Sequence, residues 1–97
     1  MIKHVLCTKL KDNSLEECQK LKEMFLSMKD EIDFIRDIQV GIDFLKSERS
    51  YDVVLEVIFD SREDLDRYQV FPYHKDVIKP YVAARRTASV TVDYDIE

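Results

Sequence analysis

Two side chains suited to acid–base chemistry lie on either side of a proline. The segment DLDRYQVFPYH places Tyr68 and His74 around Pro72, where one predicted helix stops and the next begins. The exposed amides and positive dipole end of a first helical turn disfavour a charged imidazole. A neutral imidazole is the form that a general base needs near pH 7. We predict that His74 acts as a base or acceptor and that Tyr68 orients it or donates to an oxyanion.

A second histidine extends this candidate site. His4 lies in the opening stretch MIKHVLCTKL, whose alternating pattern predicts a strand. It shares a strand face with Leu6, and we expect that face to lie under the helices, so that His4 contacts a ligand. The alternative interpretation is structural. In it, His74 caps its helix and His4 fills a polar gap in the core.

Other kinds of site lack the residues that they need. The spacings HxH, HxxxH and HExxH do not occur, so we predict no metal site. The single glycine excludes a glycine-rich phosphate loop, and the sequence has no nucleophile elbow. Cys7 and Cys18 are expected to be reduced and to act as small core residues rather than as reactive thiols.

Length and composition limit the domain count and the partners. The 97 residues form a single predicted domain, 1–97, with no room for a second core. A formal net charge of −5 argues against a nucleic-acid partner, which would need a basic face. No apolar run approaches the roughly 20 residues that span a bilayer, so no membrane partner is expected. The opening stretch lacks the apolar block of an export signal, which points to a cytoplasmic location.

Hydrophobic periodicity predicts the elements that hold the candidate site. Ser14 and Glu17 have the spacing of a capping box, and an apolar stripe at helical spacing follows them. Two strands come next, then the helix interrupted at Pro72, then the strand TASVTVDYDI. This order predicts an α+β, ferredoxin-like βαββαβ fold, in which both helices cover one face of a four-stranded antiparallel sheet.

The third strand indicates that the other face of the sheet is also covered. In YDVVLEVIF, Val53 and Leu55 lie on one strand face, and Val54 and Ile58 lie on the other. A strand that is apolar on both sides is typical of a sheet covered on both sides. We therefore predict a homodimer in which two sheets pack face to face as an α/β barrel.

The predicted elements and their sequences together resemble the stress-responsive A/B barrel (Dabb) domain family. The resemblance rests on MIKHVLCTKLKD, on YDVVLEVIFDSREDLDRYQVFPYHKDVIKP and on the closing VDY, and it covers nearly the whole chain. It implies a homodimeric α/β barrel. A plant polyketide cyclase of this family closes a linear tetraketide by an aldol step that uses a His and a Tyr but no metal or cofactor. The resemblance places these two roles on His74 and Tyr68.

The resemblance also implies a pocket between the sheet and the helices. An N-terminal pocket histidine of the cyclase aligns with His4, whereas a further pocket histidine falls on Val53 here. The expected ligand-binding residues are His4, Leu6, Phe25, Val53, Phe59 and Tyr81.

Three functions follow as hypotheses. The first is binding of an unidentified small organic molecule, with cofactor-independent acid–base chemistry on a carbonyl compound. The second is a non-catalytic, stress-associated structural dimer. Its pocket would be filled by Phe25, Met28, Phe59 and Tyr81. The third is an oxygen-using monooxygenase on the same barrel.

Overall fold

A four-stranded antiparallel sheet with helices on one face makes up the computed structural model, which describes residues 1–96. The strands are β1 (Ile2–Leu10), β2 (Asp37–Ile42), β3 (Val53–Phe59) and β4 (Arg86–Asp95). The helices are α1 (Leu15–Leu26), α2 (Met28–Glu31), α3 (Arg62–Val70) and α4 (Lys79–Arg85), and a π-helical segment, Tyr73–Ile78, leads into α4. The strand order is β2-β3-β1-β4. The predicted ferredoxin-like fold is therefore confirmed.

The start of α1 follows half of the predicted capping box. The Ser14 hydroxyl oxygen accepts a hydrogen bond from the Glu17 amide at 3.3 Å, which satisfies one of the free donors of the first turn. The Ser14 amide, however, donates to a carboxylate oxygen of Asp12 at 3.0 Å rather than to Glu17. A turn that precedes the helix thus supplies the second half of the cap.

The face of the sheet under the helices is fixed by strict alternation in β3. Val53, Leu55, Val57 and Phe59 are at most 2% exposed, and the residues between them are half-buried. The antiparallel register places His4 of β1 directly opposite Val57. Because alternate residues of a strand point to opposite faces, the register brings His4 under the helices, as the sequence predicts.

The opposite face of the sheet is apolar and uncovered in the single chain. On β4, Val90, Val92 and Tyr94 are 48%, 60% and 45% exposed. The register with β1 aligns Val90 with Cys7 and Val92 with Val5, so these side chains form one apolar strip. Large exposed apolar strips on a sheet indicate a surface that another chain covers.

The connection between α3 and α4 contains a wide helical turn. Phe71 is extended, with a ψ of 133°, as expected for a residue before proline, and the chain re-enters a helix at Pro72. The Lys79 amide donates to the carbonyl of His74, five residues earlier. Pro80 has no amide hydrogen for the usual partner four residues before it, so the wide turn falls where the regular ladder is already interrupted. Turns of this type occur frequently at functional sites, and this one carries His74.

Candidate functional site

A cavity of about 420 Å³ lies between the helices and the half of the sheet formed by β1 and β4. Its floor comprises His4 and Leu6 of β1 and Ser89 and Thr91 of β4. Leu6 and Thr91 are direct partners in the β1–β4 ladder. Small polar side chains on β4 leave space here that bulky apolar side chains would fill.

One face of α4 forms a side wall of the cavity. Lys79, Val82, Ala83 and Arg86 line it at intervals of three, four and seven residues, the spacing of a single helix face. Arg86 follows the last helical residue and begins β4. The wall therefore has an apolar middle and a cationic side chain toward each end.

His74 and Tyr68 meet on the wall formed by α3 and the π-helical segment. Their ring centroids are 4.0 Å apart, and the ring planes are inclined by 35°. The ring of His4 meets the same tyrosine edge to face at 5.7 Å. Tyr68 thus lies between the two imidazoles, and the three residues predicted to form the site are adjacent.

The hydroxyl of Tyr68 is bonded to a core residue rather than to His74. It donates to the sulfur of Met28 at 3.6 Å, and a thioether is a weak acceptor. The side chain is 1% exposed, and this burial raises the pKa of Tyr68 far above its ordinary value. Tyr68 is therefore a protonated donor, and its contact with His74 is ring packing rather than a hydrogen bond.

The imidazole of His74 is buried and uncharged near pH 7. Burial, the larger cause, and the positive charge of Lys79 lower the pKa of His74 from 6.5 to about 4, while a backbone interaction with Gln69 acts in the opposite direction. The neutral imidazole, expected from the helix dipole, is due instead to desolvation and a neighbouring cation. Among residues 1–96, Nδ1 of His74 has no hydrogen-bond partner.

His4 is held by a carboxylate on the neighbouring strand. Its Nδ1 lies 2.5 Å from Oδ1 of Asp93, its direct partner in the β1–β4 register. Nδ1–H can donate to the carboxylate in this arrangement, which leaves Nε2 as the ring nitrogen open to another partner. Asp93 was missed by the sequence analysis. The alternation of VTVDY places it on the face opposite Val92, but only the ladder register shows that it faces His4.

The structure divides the expected ligand-binding residues into two groups. Leu6 and Phe25 line the cavity together with His4. Val53 and Phe59 are core residues, 2% and 0% exposed, away from its walls, and Phe59 packs on the outer side of the Tyr68 ring at 5.1 Å. Tyr81 also lies off the wall.

Several lining residues were not expected from the sequence. The wall contains polar and charged side chains that no local pattern identified. These are Gln69, Lys79, Arg86, Ser89 and Thr91. Lys79 and Arg86 come after the wide turn. Each inserted residue rotates the following helix face by about 100°, so a regular helical repeat through residues 72–85 does not predict that these two side chains line the cavity.

Two features are absent from residues 1–96. No three His, Cys, Asp or Glu side chains in this part of the chain are grouped to hold a metal ion. Within the same range, no helix is both long enough and apolar enough to cross a membrane.

Solved structures with this fold include both uncharacterised proteins and an enzyme. A dimeric ferredoxin-like protein of unknown function from Bacteroides fragilis is 26% identical, with a TM-score of 0.80 over 98% of this chain and 95% of its own. A protein from Arabidopsis thaliana is 22% identical, with a TM-score of 0.85 over 100% and 96%. A hydroxynitrile lyase from Passiflora edulis is 15% identical, with a TM-score of 0.82 over 99% and 93%.

A family model also matches almost the entire sequence. Curated proteins include no match to this chain. The model of the stress responsive A/B barrel domain matches residues 2–96, which include both histidines, Tyr68 and Asp93. The chain therefore belongs to the stress responsive A/B barrel (Dabb) family.

Proposed function

We propose that this chain binds a small carbonyl compound in the cavity beside His74 and catalyses cofactor-independent proton transfer on it. The observation that carries this proposal is the neutral imidazole of His74 on the cavity wall, whose buried Nδ1 lacks a partner among the described residues. Leaving a buried polar atom unpaired costs about 1–3 kcal/mol, so such atoms usually receive a partner from water or a ligand. Here the residue lies on the wall of a cavity that accommodates a small ligand.

The cavity supports this function over that of a purely structural dimer. The structural alternative requires the aromatic side chains and Met28 to fill the space. Instead, Phe59 and Met28 lie in the core, fully buried, and about 420 Å³ remains beside His74. A hydroxynitrile lyase among the structural neighbours supports the view that this fold can serve an enzyme.

The chemistry divides among three side chains. Neutral His74 accepts a proton from the carbon next to the carbonyl, and Tyr68 holds the imidazole in place by ring packing. His4, fixed by Asp93, presents Nε2 to the ligand.

The assembly that supports this site is a cytoplasmic homodimer formed through the uncovered sheet face. The exposed strip of Val90, Val92 and Tyr94 supplies the apolar surface, and the Bacteroides fragilis relative is described as dimeric. Association through this face leaves the cavity free, because the cavity lies on the helix side of the sheet. Both cysteines are free thiols, in keeping with a reducing compartment.

Deuterium exchange tests the proposal. Two carbonyl compounds, 4-oxo-4-phenylbutanoate and its neutral analogue 1-phenylpentane-1,4-dione, are incubated with the protein in D₂O, and loss of the protons next to the carbonyl is followed by NMR. We expect exchange above the buffer rate for at least one compound. Because a positioned base contributes about 10²- to 10⁴-fold, His74→Ala should slow the protein-dependent exchange at least about a hundredfold.

The matched control is Lys75→Ala. Lys75 is exposed on the same π-helical segment and does not line the cavity, so its substitution should leave exchange unchanged. Exchange no faster than buffer for both compounds, or equal rates for wild type and His74→Ala, would refute the proposed function.

A further inference from the structure

The cavity reverses the charge balance of the chain. The sequence has 20 acidic and 15 basic side chains, a formal net charge of −5. The lining of the cavity, which lies within residues 1–96, nevertheless includes Lys79 and Arg86 and no Asp or Glu. Cations without acidic neighbours on the wall of a cavity create a positive potential that attracts anions.

Neither cation is neutralised by a neighbouring carboxylate. Within residues 1–96, no carboxylate lies within 4.0 Å of the side-chain nitrogens of Lys79 or Arg86. Arg86 donates through Nη1 to the hydroxyl oxygen of Ser89 at 2.7 Å, and both residues line the cavity. By contrast, Arg62, which is also exposed, pairs with Asp95 at 2.7 Å. The guanidinium at the cavity therefore retains donors for a ligand.

The two cations have different neighbours. They are seven residues apart on one helix face, roughly 10 Å along the axis. Lys79 is close enough to His74 for its charge to act on the imidazole, whereas Arg86 lies at the Ser89 end. A planar guanidinium binds a carboxylate with two parallel hydrogen bonds, which an ammonium cannot do. The cavity thus has a guanidinium beside a hydroxyl at one end and a neutral imidazole near an ammonium at the other.

We propose that the natural ligand is an oxo acid, whose carboxylate is bound by Arg86 and Ser89 and whose carbonyl lies beside His74 and Lys79. This inference rests on the proposed function and specifies its substrate class. The apolar part of the ligand packs on Leu6, Phe25 and Val82 between the two ends. In the bound state Lys79 stabilises the negative charge that develops on the carbonyl oxygen.

Calorimetric titration with two matched probes tests the inference. The anion 4-oxo-4-phenylbutanoate and the neutral 1-phenylpentane-1,4-dione have nearly the same shape, because a methyl group replaces one carboxylate oxygen. We expect wild type to bind the anion at least tenfold more tightly than the dione. This preference should decrease as the salt concentration rises, because screening weakens charge–charge attraction.

Substitution at the two ends assigns the preference to residues. Arg86→Gln should reduce affinity for the anion about tenfold and leave affinity for the dione within twofold. Lys79→Gln should weaken anion binding by a smaller factor. Lys75→Gln removes the same unit of charge from an exposed position outside the cavity and should leave both affinities unchanged.

The outcomes of the titrations distinguish failure of this inference from failure of the proposed function. Equal binding of both probes, or an equal loss of anion affinity in Lys75→Gln and Arg86→Gln, would overturn the oxo-acid inference and leave the carbonyl site intact. If neither probe binds, the cavity is not a carbonyl site, and both proposals fail. Tenfold selectivity that disappears in Arg86→Gln supports both.

Discussion

The helix-covered face of the sheet has two halves. They share one pattern of alternation but differ in how closely their side chains pack. In the packed half, β3 contributes Val53, Leu55, Val57 and Phe59, all at most 2% exposed. In the cavity half, β4 contributes smaller polar residues at equivalent positions. These are Ser89, Thr91 and Asp93.

This difference shows what a strand pattern does and does not specify. Alternation decides which side chains point under the helices, and their size and polarity decide whether that space is filled. A close-packed half supplies stability, and the other half leaves a cavity with a neutral imidazole on its wall. Such a division is common where binding sites sit on a rigid scaffold.

The largest expected difference between the two halves is in the free energy of unfolding that is lost when one leucine of each half is replaced by alanine. Leu55→Ala removes a fully buried side chain from the central part of the packed half, and we expect the free energy of unfolding to fall by about 2–5 kcal/mol. Leu6→Ala, at the half-buried floor of the cavity, should cost less than about 1.5 kcal/mol because space already exists beside it. Urea denaturation of both variants measures the difference. Equal losses would mean that the two halves are equally packed.

The paired histidine is expected to stabilise the cavity half. His4→Leu removes the hydrogen bond to Asp93 and leaves a carboxylate that is 38% exposed, so water replaces the lost partner in part. We expect a loss of about 1–2 kcal/mol in the free energy of unfolding. A double-mutant cycle with Asp93→Ala isolates the coupling between the two side chains. Strictly additive losses would contradict a direct interaction.

The unpaired histidine, His74, is expected to lower stability, in contrast to His4. His74→Leu replaces a buried ring whose Nδ1 has no partner in residues 1–96, so the variant should be more stable than wild type by about 1 kcal/mol. Proton-exchange activity should be lost in the same variant. Denaturation and deuterium exchange, measured on one preparation, check the two effects together. A variant that is less stable than wild type would indicate that His74 has a structural role.

The sequence predicts the packed half better than the cavity half. Alternation and turn residues are local, and they specify the strands, the break at Pro72 and the fold. The proximity of His74, Tyr68 and His4 also follows once the fold is known. The pair of His4 and Asp93 depends on the register between the first and last strands, which no local pattern contains.

The cationic wall was beyond sequence reasoning for a related reason. Lys79 and Arg86 follow the π-helical segment, whose wide turn changes the rotation of α4 relative to a regular helix. The wide turn coincides with the missing amide hydrogen of Pro80 and with the packing of His74 on Tyr68. Its position is a tertiary effect that a regular helical repeat does not predict.

The smallest expected effect is the pH dependence of stability due to His74. Its pKa is about 4 in the folded protein and 6.5 ordinarily, so between these values the unfolded chain binds more protons than the folded chain. The free energy of unfolding should therefore fall as the pH decreases from about 6.5 to about 4. Below about pH 4, His74 should contribute no further decrease. The full shift would correspond to at most about 3 kcal/mol. Because the cavity lets water screen the imidazole, we expect the measured loss to be about 1 kcal/mol or less. Denaturation of wild type and His74→Gln across this range gives the contribution as a difference, since carboxylates titrate alike in both. A constant difference would mean that the imidazole is not desolvated, and the contrast between a packed half and a cavity half that buries an unpaired base would no longer hold.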